Sequence, residues 1–270
     1  MIDIGLGEWS KDYDGYMLMK FTGAYDFQQC FLDGKLFFNT SDFFAKCEDR
    51  GRGDVNEGKT FVMNPNNQGY VSANLEQVGG TYMIVVRDYS NNPQDYKPST
   101  IFDYSAAKNR NRKVISFYTA YLNIENQIVA PFPENMSDEF GKFGVIITDR
   151  HVFFERVNAA IKKIENCREA TMGFVEYQDL KEGLNDWHPF RKDINKFGYQ
   201  NEFRITFVND NSDTYMLDLG CSLRDIAAPI MASDVKKIKF VDGKLIYPKY
   251  SILHDIYYKI QSAIKKRIKK

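Results

Sequence analysis

The sequence has no net charge to spend on a partner. Its 36 Lys and Arg balance 36 Asp and Glu over 270 residues, so no general attraction to polyanions is built in. Cysteine is sparse. Cys30, Cys47, Cys167 and Cys221 are scattered, with no CxxC pair and no Cys/His ligand spacing, which argues against a zinc site and a disulfide framework. No apolar run approaches the ~20 residues of a membrane-spanning helix. The opening "MIDIGLGEWSKDYDGY" lacks the basic and apolar regions of a secretory signal. A cytoplasmic protein with no membrane partner is the expectation.

What the chain does have is apolar and aromatic mass, 43% and 15% of residues, enough for a core that needs no staples. Alternating stretches such as "YMLMKF", "KLFFNT", "KVISFYTAYL", "FGVIITD" and "TYMLDLG" read as strands. "TFVMN", "YVSANL" and "TYMIVVR" read as an antiparallel meander, and "KIKFVDGKLIYP" as a hairpin turning at Asp242-Gly243. Residues 89–113, rich in Asn and Pro, read as a long loop. "AYDFQQCFLDG" predicts a helix stopped by Gly34. "RHVFFERVNAAIKKIEN" predicts one capped by Asp149, with Val152, Phe153, Val157, Ala160, Ile161 and Ile164 as its stripe. "SILHDIYYKIQSAIKKRIKK" predicts an amphipathic terminal helix docking through Leu253, Ile256, Tyr257 and Ile260, its basic end in solvent. Strands that follow one another directly predict an α+β fold of largely antiparallel sheets with peripheral helices, in one domain spanning 1–270.

The stretch "FGYQNEFRITF" carries the main functional question. Continued as a strand over 200–208, it sets Gln200, Glu202, Arg204 and Thr206 on one face and Phe203, Ile205 and Phe207 on the other. The apolar face is core. The polar face is either an exposed ion pair or the wall of a site. Just upstream, "DWHPFRKDINKFGY" offers His188, Lys192 and Tyr199; His188 is a loop histidine or a site residue. The loop "EDRGRGDVNEGK" offers Arg52, Asp54 and Glu57 among glycines that either admit a ligand or simply bend. Lys20, Asn39 and Ser41 stand at the ends of the first two strands, where Thr40 and Ser41 also suit a helix cap.

Two stretches together, "LMKFTGAYDFQQCFLDGKLFFNTSDFFAKCEDRGRGDVNEG" and "PFRKDINKFGYQNEFRITF", resemble a set of uncharacterised bacterial and phage proteins. That set pairs an acidic Asp/Glu loop with a later E/Q-x-E-aromatic-R motif. Gln200-Asn201-Glu202 and Asn39-Thr40-Ser41 are also distantly similar to ADP-ribosyltransferases, with Lys20 where an Arg or His would stand. The resemblance implies an enzyme of bacterial or phage conflict that consumes NAD. In it Glu202 would stabilise the oxocarbenium ion, Gln200 would orient the acceptor, and Lys20 or Arg204 would contact phosphate. Tyr199, His188, Lys192, Arg52, Asp54, Glu57, Asn39 and Ser41 would complete the ligand site. The target would be a protein or nucleic acid. Two other readings stay open. One is a nuclease holding Mg²⁺ on Asp54, Glu57 and Glu202. The other is a non-enzymatic module that binds a nucleotide or a protein.

Overall fold

The computed structural model describes residues 3–4, 15–47, 52–54, 57, 61–64, 71–78, 81–88, 99–102, 111–179, 183–186, 188–211, 213–242, 244–248 and 256–261. Ten strands form the central sheet. In chain order they are β1 (Asp3–Ile4), β2 (Gly15–Thr22), β3 (Lys35–Thr40), β4 (Lys113–Asn123), β5 (Ile128–Val129), β6 (Phe143–Ile147), β7 (Arg168–Phe174), β8 (Glu202–Val208), β9 (Tyr215–Asp218) and β10 (Ala227–Met231). They lie in the order β1-β7-β8-β4-β2-β6-β10, with β3 pairing both β4 and β9, and β5 pairing β4. Every pairing is antiparallel except β1 with β7. The helices are α1 (Tyr25–Leu32), α2 (Ser41–Lys46), α3 (Met136–Phe140), α4 (Arg150–Ile161) and α5 (Ile194–Phe197), with a terminal helical segment described over 256–261. The chain is α+β and largely antiparallel, as its alternating patterns predict. Among the described residues, no helix is long and apolar enough to cross a membrane.

The sheet is buried on both sides, so its central strands alternate between two cores rather than between core and water. Ile115 and Phe117 of β4 join Leu18, Phe203, Ile205 and Phe207 in one core, closed by Phe31 and Leu32 of α1 and by Phe153 and Val157 of α4. Tyr118, Ala120 and Leu122 join Met17, Met19 and Met136 in the other. Fully burying each such side chain contributes about 1.5–3 kcal/mol, which fixes the faces of β8 and β4. Asp149 caps α4, its carboxylate accepting from the Val152 N–H at 3.1 Å. Phe153, Val157, Ala160 and Ile161 are buried as the stripe predicts, although the helix ends at Ile161.

Several expectations need correction. The strand Phe61–Asn64 pairs with Gly183–Asp186, whereas Val71–Val78, Thr81–Asp88 and Ser99–Phe102 form the three-stranded antiparallel sheet. A strand therefore interrupts the stretch read as a loop over 89–113; residues 89–98 and 103–110 lie outside the described residues. The hairpin at Asp242 is present, with Lys239–Val241 against Lys244–Ile246. In the terminal helix Ile256, Tyr257 and Ile260 are about half exposed, at 49%, 54% and 54%. Tyr258 makes the contact instead, 4.8 Å from the Phe143 ring centroid and 6.1 Å from that of Tyr25. Leu253 and the basic end lie outside the described residues.

One irregularity of the sheet positions the site. Along one edge of β4, β2 pairs as far as Met19 opposite Tyr118. β3 takes up the same edge only at Asn39 opposite Val114. Between them, residues 115–117 have no strand partner on that edge among the described pairings. The two strands part because α1 connects them and packs over the gap, and because Gly34 turns the chain from α1 into β3. Gly34 has a φ of +83°, and a Cβ there would stand 2.0 Å from the Cys221 carbonyl oxygen, so glycine is required.

Candidate functional site

A cavity of about 460 Å³ opens where β2 and β3 diverge from β4. That size suits a small organic ligand. Its polar lining includes Lys20 on β2, Lys35 and Asn39 on β3, Arg52, Ser116 on β4, Lys192, Gln200, and Glu202 and Arg204 on β8. Its apolar lining includes Phe27 of α1, Phe37 of β3, Phe44 of α2, Phe140 of α3 and Met216 of β9.

Glu202 and Arg204 share a strand face, as the alternation predicts, but that face is inside the protein. Glu202 Oε1 accepts from Arg204 Nε at 2.7 Å, and its Oε2 accepts from Lys192 Nζ at 2.8 Å. Arg204 Nη1 and Nη2 donate to the two oxygens of Glu57 at 2.9 Å each. Nη1 also donates to the Pro189 carbonyl. Nη2 reaches Glu202 Oε2 at 3.4 Å. All five guanidinium N–H groups of Arg204 are thereby engaged, so its expected role as a phosphate contact has no donor left to serve it. The expected alternative of an exposed ion pair is corrected as well. Glu202 and Arg204 have side chains 7% and 3% exposed, and Lys192 and Glu57 complete a buried four-charge network.

Burial pushes the Glu202 carboxyl upward. The charges of Arg204 and Lys192 and their hydrogen bonds outweigh it and hold the group well below the ordinary carboxylate range. Burial likewise opposes the charge on Arg204, and Glu202 and Glu57 more than restore it. For Glu57, burial prevails and raises the carboxyl above its ordinary value despite Arg204 and Lys192. Lys20 has no such compensation. Burial lowers it from 10.5 to about 8, with Glu202 raising it in part and Arg52 lowering it further.

Gln200 is not on the strand. It ends a 3-10 turn, Gly198–Gln200, and Asn201, in the left-handed region at φ 42°, separates it from β8. It still faces the cavity: its Oε1 accepts from Lys192 Nζ at 2.8 Å and its Nε2 donates to the Tyr199 hydroxyl at 3.3 Å. Tyr199 itself donates to Glu139. Asp54 is buried in the turn that delivers Glu57, its carbonyl accepting from the Glu57 N–H at 2.8 Å. Ser41 is buried at the start of α2, where Thr40 is the cap, accepting from the Phe43 N–H at 3.0 Å. His188 braces its own loop, Nδ1 accepting from the Phe190 N–H at 3.2 Å. None of Tyr199, Asp54, Glu57, Ser41 and His188 is among the described residues that line the cavity. Lys20, Asn39, Arg52, Lys192, Gln200, Glu202 and Arg204 are.

Sequence reasoning missed Tyr177, whose hydroxyl accepts from the Glu202 N–H at 2.9 Å and so anchors the start of β8. It also missed the aromatic wall. Phe27 and Phe37, 66% and 49% exposed, are placed by patterns that otherwise read as ordinary core. Large aromatic side chains left that open beside a cavity are the available signal. Among the described residues, no group of three His, Cys, Asp or Glu side chains could hold a metal ion.

No protein-family model matches the chain. Over 127 residues it is 27% identical to the uncharacterized protein YjcH of Bacillus subtilis (strain 168), covering 44% of this chain and 52% of that protein. The chain thus spans about half the length of the curated relative it matches. No solved structure matches.

Proposed function

We propose that this protein binds a nucleotide, of which NAD is the leading example, in the cavity between β2, β3 and β4. The observation that carries the reading is the convergence on one cavity of cations from separate segments, Lys20, Arg52 and Lys192, with an aromatic wall beside them. Phosphate suits the cations, and a base or nicotinamide ring suits Phe27, Phe37 and Phe44. Lys192 keeps one N–H beyond those given to Glu202 and Gln200.

Binding is favoured over catalysis by Glu202, because both of its oxygens are held by Lys192 and Arg204. To stabilise a developing cation it would first have to exchange those partners. The nuclease reading is less well supported, since Glu57 and Glu202 are both committed to Arg204.

The test is thermal melting of the purified protein with NAD, ADP-ribose and ATP, together with chromatography of NAD after incubation. A ligand at a hundred times its Kd adds about 2.7 kcal/mol to the folded state, an unmistakable rise in melting temperature. No rise with any of the three at millimolar concentration would sink the reading. NAD turnover that Glu202→Gln abolishes in a folded protein would instead restore the enzyme.

A further inference from the structure

Five cations line the cavity, and four of them are accounted for. Arg204 and Lys192 are bound to carboxylates. Lys35 and Arg52 are exposed to water. Lys20 differs. It lies half-buried on β2 and donates to the Ser116 carbonyl at 2.8 Å, on the stretch of β4 that lacks a strand partner. Its nitrogen stands 5.8 Å from the centroid of the Phe117 ring. No carboxylate lies within ion-pair distance of it among the described residues, and nearby Glu202 is already shared by Lys192 and Arg204.

A lysine taken from water without a counter-ion holds its third proton weakly. Here burial lowers the ammonium from 10.5 to about 8, which brings the free amine closer to neutral pH. The free amine is the nucleophilic form, and desolvation is one of the usual ways a lysine is activated. Ser116 fixes the nitrogen at the cavity floor. The exposed cations at the rim favour a ligand that carries negative charge.

We propose that Lys20 is a nucleophilic amine that captures an anionic aldehyde or ketone in this cavity as an imine. The nitrogen lone pair forms the new bond to the carbonyl carbon while the π pair moves to oxygen. A proton passes from nitrogen to that oxygen, giving a carbinolamine. The C–O bond then breaks, the hydroxyl leaves with a second nitrogen proton as water, and the C=N bond remains. Amine plus carbonyl gives imine plus water, with no change of oxidation state. The proposal uses the same cavity as the nucleotide reading but does not depend on it.

Pyridoxal 5′-phosphate, an anionic aromatic aldehyde, is the probe. The full chain is mixed with one equivalent at pH 8 and reduced with borohydride, and its peptides are mapped by mass spectrometry. One label per chain is expected, at least tenfold more on Lys20 than on any other lysine. Lys20→Arg should lose it, and Lys162→Arg, at an exposed lysine away from the cavity, should keep it, melting curves showing that both fold. If Lys20→Arg does not fold, the wild-type map decides alone. Labelling spread over exposed lysines, with Lys20 at or below their average, would overturn the proposal. Pyridoxal without its phosphate should label Lys20 at least tenfold less; equal labelling overturns the requirement for an anion. Selective trapping in a protein that no nucleotide stabilises would separate this proposal from the nucleotide reading.

Discussion

Arg204 and Arg156 each grip a carboxylate with both terminal nitrogens, Arg204 on Glu57 and Arg156 on Asp225. The geometry is nearly the same. The surroundings are opposite: the Arg204 and Glu57 side chains are 3% and 2% exposed, those of Arg156 and Asp225 24% and 56%. In water the two ions are solvated whether or not they meet, so the pair contributes little. Inside the protein each ion has lost its water and depends on its partners, so the network stands or falls as a unit. Contact alone therefore says little about what a charge pair does for the fold.

The widest separation of the two cases should come from Glu202→Gln. The change leaves Lys192 and Arg204 buried with one carboxylate fewer, and should lower the unfolding free energy by about 3–5 kcal/mol in urea titrations. A loss below about 1 kcal/mol would mean the network behaves like a surface pair. The pH dependence gives a second handle on the same variant. Because the folded-state carboxyl of Glu202 is held below its ordinary 4.5, its contribution is complete above that pH and disappears as pH falls toward the lower folded value. The gap between wild type and Glu202→Gln should hold from pH 7 to 5 and close in acid.

Lys20 gives a smaller effect of the opposite sign. Its folded value, about 8, lies below its unfolded 10.5, so between those values the unfolded chain binds more protons and wild-type stability rises with pH. Lys20→Met should melt higher than wild type at pH 7, with the advantage shrinking from pH 8 to 10.5. Parallel curves for the two proteins across that window would refute the buried-cation account. The smallest effect belongs to the exposed pair. Arg156→Gln should leave the urea midpoint nearly unchanged, and whatever difference remains should shrink in added salt. A large shift there would erase the contrast.

Periodicity made the apolar half of β8 legible: Phe203, Ile205 and Phe207 fall together because strand side chains alternate. The same alternation grouped Glu202 with Arg204, which was right. It could not say whether that face met water, because the covering groups, Glu57, Pro189 and Lys192, come from distant or irregular segments. Gln200 was drawn into the strand by an i, i+2 spacing that a 3-10 turn followed by left-handed Asn201 happens to preserve in effect. The terminal helix failed for a related reason. Several apolar residues at helical spacing offered more than one face, and the ring that found a pocket was Tyr258. Convergence of Lys20, Arg52 and Glu202 was beyond reach from spacing, since it depends on two strands leaving the same edge of β4.

That parting of strands has a consequence for how the molecule can vary. β2 and β3 are each registered against β4 by their own hydrogen bonds, while the distance between them is spanned by the connection through α1. Phe31 and Leu32 hold one face of α1 in the core, so substitution at its exposed positions, Phe27 above all, changes the cavity wall with no ladder broken. Bore and wall chemistry can therefore drift in related chains independently of the hydrogen-bonded frame, much as a clamp changes its jaws and keeps its screw.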